Sequence, residues 1–201
     1  MALRAVLEDA RTIGLLGPGP PEDHVTHAED LARIIGTPPQ RFLDLGSGGG
    51  VPGLVLAALW PTTTAALLDR RRKSAEFLKA AIDRLALTAR IEVIEAEAES
   101  AARTPEQREA FALVVARSFA APAVTAECAS GFLQVGGALV VTEPPGGEPS
   151  RWPTDELALL GLSPATVRRS GTATAAILQK TAPTDDRWPR RSGVPAKRPL
   201  W

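Results

Sequence analysis

DLGSGGGVPG, residues Asp44 to Gly53, places five glycines in ten positions and runs straight into the apolar stretch Leu54–Trp60. A short apolar run, Phe42–Leu45, precedes it, so the glycines stand where a strand turns into a helix. In that setting a missing Cβ lets the chain turn tightly and lets a ligand touch the main chain. Pro52 suits a first helical turn, where its missing N–H has no partner to lose.

Working outward, short apolar runs alternate with helical patterns. Strands are predicted at Phe42–Leu45, Ala65–Leu68, Ile91–Ile94, Ala112–Ala116, Ala138–Thr142 and Thr174–Gln179. Helices are predicted at Leu54–Leu59, Ser74–Leu85, Pro122–Leu133 and Thr154–Leu160. This alternation implies an α/β fold, a doubly wound, mostly parallel sheet with helices on both faces. The late run 174–179 follows a polar stretch and suits an antiparallel edge. Two helices are expected before the sheet, one amphipathic over residues 1–16 and one from about His24 to Ile35. A single domain follows from the length of 201 residues, with a helical region 1–40, a core 41–180 and a Pro/Arg-rich tail 181–201.

Composition excludes several classes. The hydrophobic fraction of 44% and charged fraction of 23% are those of a globular protein, neither disordered nor a disulfide scaffold. The single cysteine, Cys128, is expected to be a small buried hydrophobe. No stretch has the length of a membrane span or the form of a signal peptide, which makes a cytoplasmic location the expectation. The formal net charge is zero, but residues 161–201 carry eight basic against two acidic groups, while residues 1–160 carry the compensating negative excess. A basic tail of this kind is suited to a polyanion.

Spacing narrows the ligand of the glycine loop. A phosphate-binding P-loop needs Lys and Ser or Thr after its last glycine, where this chain has Leu54 and Val55. A dinucleotide fingerprint needs a third glycine where this chain has Val51, which disfavours that class without excluding it. The acid-x-Gly-x-Gly pattern of S-adenosylmethionine sites is matched by Asp44, Gly46 and Gly48. Asp44 is expected to suit the ligand's ammonium, with Ser47 and Gly50 completing the loop. Asp69 closes the next strand, with Arg70 beside it, where a carboxylate accepts both ribose hydroxyls.

DLGSGGGVPGLVLA, the LLD ending at Asp69, VVARSFA at 114–120, Gly136–Gly137 and the tail KTAPTDDRWPRRSGVPAKRPL resemble the RsmG (GidB) family. Those are class I methyltransferases, with a seven-stranded Rossmann-like sheet, that methylate guanine N7 in 16S ribosomal RNA. The resemblance implies S-adenosylmethionine as cofactor and ribosomal RNA or the small subunit as partner. It further implies that Gly46 and Val51 contact the cofactor, Asp69 holds the ribose, Ala98 and Glu99 lie by the adenine, and Arg117 faces cofactor and substrate in a positioning role. N7 carries a lone pair and no proton, so no general base is required and no catalytic His/Asp or Cys/His pair is expected. His24 and His27 lack a third partner for a metal, and none is expected.

Three departures concern the RNA side. The family's Asn-Leu-Thr stretch is absent, its Lys-Gly after the fifth strand is replaced by Thr142-Glu143-Pro144-Pro145-Gly146, and its Arg-His before the last strand reads Ala173-Thr174. RNA contacts are therefore assigned to Arg70, Arg71, Arg72 and Lys73 and to Arg187, Arg190, Arg191, Lys197 and Arg198 in the tail. Trp152, Trp188 and Trp201 are expected to pack rather than stack on bases. Two alternatives stay open: a methyltransferase for a small-molecule or other acceptor, and a catalytically silent cofactor-binding scaffold.

Overall fold

The computed structural model describes residues 2–201; Met1, included in the first predicted helix, lies outside them. Two helices, α1 (Ala2–Thr12) and α2 (Pro21–Ile35), lead into β1 (Arg41–Leu45). The order then runs α3 (Gly53–Leu59), β2 (Thr64–Leu68), α4 (Arg72–Arg84), β3 (Ile91–Ile94), α5 (Ala98–Ala101), β4 (Phe111–Ala116), α6 (Pro122–Ser130) and β5 (Leu133–Thr142). It ends with α7 (Thr154–Leu159), β6 (Thr166–Ser170), β7 (Ala173–Gln179) and α8 (Val194–Lys197).

The seven strands form one sheet in the order β3-β2-β1-β4-β5-β7-β6. The first five are parallel, and β7 runs antiparallel to β5 and β6. Strand alternation divides the core between the two faces. Leu43, Leu45, Val114, Ala116 and Leu139 pack on one side with α6 and α7. Phe42, Leu67, Leu113, Val115 and Val140 pack on the other with α2, α3 and α4. From β1 the chain winds outward to β3 and then returns to lay β4 on β1's other side. Loops leaving β1 and β4 therefore diverge over opposite faces and open a crevice at the carboxyl ends of the strands.

Three predicted elements are corrected. The run near 174–179 is antiparallel but interior, because TVRRS at 166–170 forms the edge strand β6. Its exposed Arg168 and Arg169 hid it from an apolar-run reading, yet charge is a common feature of an exposed sheet edge. β5 begins at Leu133 rather than Ala138, and α6 ends at Ser130, short of the predicted Leu133.

The tail folds back onto the core. Trp188 is buried in the cluster with Phe132 and Leu133, and Leu200 and Trp201 pack against it. Arg103 donates to the carbonyls of Pro189 (3.0 Å) and Asp186 (3.1 Å), and Arg108 to those of Thr184 (2.8 Å) and Trp188 (3.1 Å). Lys180, 1% exposed, donates to Leu160 O and Thr184 Oγ1, and burial brings its pKa down to about 8. Arg190 donates from its backbone N–H and guanidinium to Glu127, which is 0% exposed. Truncating one partner of a buried pair leaves a desolvated charge, so Arg190→Ala should destabilise the fold by about 3 kcal/mol in urea unfolding. Adding Glu127→Gln to that variant should recover part of the loss.

Candidate functional site

Two clefts open at the carboxyl edge of the sheet, on either side of Ser118–Ala120, the segment that leaves β4. The smaller, about 480 Å3, lies between the ends of β1 and β2 and α6. The larger, about 750 Å3, lies between α2 and the segment after β5. Both have the size of small-molecule sites. Ser118 holds φ +55°, a conformation uncommon for a side-chain-bearing residue and one that gathers at functional sites.

The glycine loop builds one wall of the smaller cleft. The Gly46 and Ser47 N–H groups donate to Leu68 O at 2.9 and 2.8 Å, folding the loop against β2. Gly46 adopts φ +76°, and a Cβ there would lie 2.6 Å from the Phe119 ring, so glycine lets the chain pass this close to that ring. Asp69, 4% exposed, sits at the end of β2 and accepts from Gly48 N and Arg71 N, each at 2.9 Å. The Arg71 guanidinium lies across the same carboxylate at 3.3 Å. Burial alone would raise the Asp69 pKa, but these donors outweigh it and hold it below the ordinary value. Exposed Arg70 and buried Glu99 flank the cleft with Ala98 and Cys128, and the tail residues Gly193 and Ala196 close it.

Among the residues expected at the cofactor, Gly46, Asp69, Arg70, Ala98 and Glu99 come together on this cleft. The Glu99 side chain is turned inward, where its Oε1 accepts from Gly193 N at 2.9 Å. Four others lie behind the loop. Ser47 is buried and donates to Asp44 O, Gly50 faces Leu54 and Leu78, and Val51 packs with Leu7, Ala28 and Val55. Asp44 is also absent from the cleft wall. On the α3 face of the sheet, its Oδ2 accepts from Gly53 N at 3.0 Å, in a space that a Cβ on Gly53 would fill. Gly48 acts through its N–H on Asp69, and Arg117 faces the larger cleft.

Burial drives the Asp44 pKa up to about 7 from an ordinary 3.8, and the Gly53 N–H and Arg117 offset only part of that cost. Its Oδ1 is buried without a hydrogen-bond partner. A carboxyl raised in the folded state contributes stability that is complete below its unfolded value and is lost as the pH rises through the folded one. Wild type should therefore lose a few kcal/mol relative to Asp44→Asn between about pH 4 and pH 7, at about 1.4 kcal/mol per pH unit. Urea unfolding of both proteins across that range tests it, since Asn keeps an acceptor for Gly53.

The larger cleft is lined by Asp23, His24 and His27 of α2, by Arg117 and Phe119, and by Glu143 and Trp152. Asp30 holds α2 in place by accepting from Thr172 N (2.7 Å) and Thr172 Oγ1 (2.9 Å) in the β6–β7 turn. Arg117 Nη2 lies 2.8 Å from His24 Nδ1. Burial lowers the pKa of both histidines, and the Arg117 cation lowers it further. Glu143, which stands where a cation was expected, is neutralised by Arg151 and accepts from Trp152 Nε1 at 3.0 Å. Among the described residues, no three His, Cys, Asp or Glu side chains gather to hold a metal.

The cations assigned to RNA separate into two groups. Arg190 is committed to Glu127, Arg71 to Asp69, Arg70 to Glu97, Arg72 to Glu76, Arg187 to Asp185 and Lys73 to Ile13 O. Arg191, Lys197 and Arg198 are exposed, and among the described residues they form no ion pair. Trp152 and Trp188 are buried, while Trp201 donates to Arg151 O.

The family model described as GidB, rRNA small subunit methyltransferase G, matches residues 7–144. The chain belongs to this family. It is 35% identical over 189 residues to the ribosomal RNA small subunit methyltransferase G of Chloroflexus aggregans, covering 88% of this chain and 76% of that one. To the protein of the same name from Moorella thermoacetica it is 37% identical over 186 residues, covering 88% and 77%. Among solved structures it resembles cofactor-bound Rv0187 from MTB, with TM-score 0.63, 22% identity and 89% of each chain covered. It also resembles the T. thermophilus 16S rRNA methyltransferase RsmC in complex with AdoMet and guanosine, with TM-score 0.55, 22% identity, and 80% of this chain and 40% of that one covered. At such identities the likeness is one of fold, that of class I methyltransferases.

Sequence reasoning set His24 aside as an unsupported metal ligand and assigned no role to Phe119. It set the tail 181–201 apart from the core 41–180. The hydrophobic period does not report which loops meet, and Ser118's positive φ leaves no mark in residue type.

Proposed function

We propose that this chain is an S-adenosylmethionine-dependent methyltransferase acting on small-subunit ribosomal RNA in the cytoplasm, with guanine N7 as the acceptor. The observation that carries the reading is the pair of clefts meeting over Phe119 at the sheet's switch point in a chain of the GidB family. Asp69 offers a carboxylate to a ribose diol, Gly46 admits a ligand against the main chain, and Ala98 and Glu99 border the adenine end. The cofactor, when bound, supplies an electrophilic methyl group. Guanine N7 has no proton to lose, so the protein's work is to align and dry the two reactants. Alignment of that kind is worth about 7–11 kcal/mol.

The free cations Arg191, Lys197 and Arg198 flank the smaller cleft through Gly193 and Ala196 and supply phosphate contacts beside it. With Glu143 neutralised by Arg151, its negative charge does not oppose RNA at the larger cleft. These features favour RNA over a small-molecule acceptor.

Calorimetric titration with S-adenosylhomocysteine should show binding that Asp69→Ala weakens about 10- to 100-fold. Undiminished binding by the variant would remove the ribose assignment. Labelled cofactor incubated with small ribosomal particles, free RNA and a metabolite extract should label small-subunit RNA, with borohydride–aniline scission locating an N7-methylated guanine. Label confined to small molecules would refute the RNA reading. Replacing Arg191, Lys197 and Arg198 by Ala should reduce the slope of log RNA affinity against log salt by about 2 to 3 while leaving S-adenosylhomocysteine affinity unchanged.

A further inference from the structure

The larger cleft contains an arrangement that transfer to N7 does not require. The Arg117 guanidinium makes one hydrogen bond among the described residues, to His24 Nδ1. A guanidinium only donates, so Nδ1 must be the lone-pair nitrogen of a neutral imidazole with its proton on Nε2. That tautomer fits the surroundings, because Nε2 lies 3.3 Å from Gly17 O. Asp23 and the Gly17 and Pro18 carbonyls favour protonation, whereas burial and Arg117 oppose it more strongly. His27, one turn along α2, lies near the same cation and Asp30, and Asp44 of β1, whose carboxyl is pushed up to about 7 and so itself titrates near neutral pH, is coupled to Arg117.

We propose that His24 is a positioning residue of the acceptor cleft: as a neutral acceptor it holds Arg117 so that the remaining guanidinium N–H groups meet O6 of the guanine. The inference rests on the guanine-N7 reading above and names what would select that base. Guanine offers an oxygen at C6, whereas adenine offers an amino donor that would face Arg117 donor to donor. Reading O6 alone leaves the N7 lone pair open to reaction. Protonating His24 turns its acceptor into a donor beside a cation and releases Arg117.

The test is methyl transfer by the full-length wild type, His24→Gln and His24→Ala across pH 5 to 8. The substrate is a ribosomal RNA fragment carrying guanosine, inosine or 2-aminopurine at the mapped position. Wild-type kcat/KM should fall with acidity below the ordinary imidazole range while S-adenosylhomocysteine affinity stays constant. His24→Ala should lower kcat/KM about 10- to 100-fold at neutral pH, and His24→Gln, which retains an acceptor, should restore most of it without the acid limb. Inosine, with O6, should remain a substrate; 2-aminopurine, without it, should lose about 10- to 100-fold in wild type and far less in His24→Ala. A common pH profile for all three proteins, or wild-type use of 2-aminopurine equal to guanosine, would overturn the proposal. So would cofactor-analogue affinity that falls with His24→Ala as much as transfer does, since Arg117 would then serve the cofactor. Imidazole NMR reports on the pair without RNA: His24 should be Nε2-protonated and neutral, with a pKa that rises in Arg117→Met. If wild type labels no RNA, the proposed function itself falls; an Nδ1-protonated His24 overturns the positioning role alone.

Discussion

The loop after β1 is held by a carboxylate at each end. Asp69 receives Gly48 N near its start, and Asp44 receives Gly53 N near its close. Between these anchors Gly46 and Ser47 donate to Leu68 O, so the loop is strapped to the neighbouring strand. Its path fixes where Phe119 lies against Gly46, and with it the boundary between the two clefts. Asp44 serves this geometry from behind, at an electrostatic cost that its displaced pKa records.

The opposite side of the smaller cleft depends on the last residues of the chain. Glu127 and Glu99, both buried on the α5–α6 side, receive Arg190 and Gly193. The two contacts place Gly193 and Ala196 on the cleft wall and leave Arg191, Lys197 and Arg198 exposed beside it. The tail's basic residues thus divide between those that attach it and those left exposed without an ion pair among the described residues. Counting charge along the sequence could not make that division, because Arg190 and Arg191 are adjacent and identical in type.

Much of the architecture was legible because burial leaves a period in the sequence. The central parallel strands β1, β2 and β4 stood out as apolar runs, since both their faces are covered, while β3 at the edge is only partly buried. β6 did not, because TVRRS exposes Arg168 and Arg169 at the edge. The cleft wall was partly legible: the acid-x-Gly-x-Gly pattern located the loop, and the strand end located Asp69. Which loop residues line the smaller cleft was not, since Asp44, Gly50 and Val51 are close in sequence to Gly46 yet point into the core.

By itself the sequence determined the α/β class, the position of the glycine turn and the candidate acid on the second strand, because each follows from local spacing within one strand–turn–helix unit. Only the tertiary structure decided that His24 reaches Arg117 across 93 positions, that Glu143 is neutralised by Arg151, and that the tail closes the smaller cleft. Those contacts join segments whose approach is set by the reversal of strand order between β1 and β4 and by packing on the two faces of the sheet. No local pattern records them, since a side chain's partner across the fold depends on where the whole chain has gone.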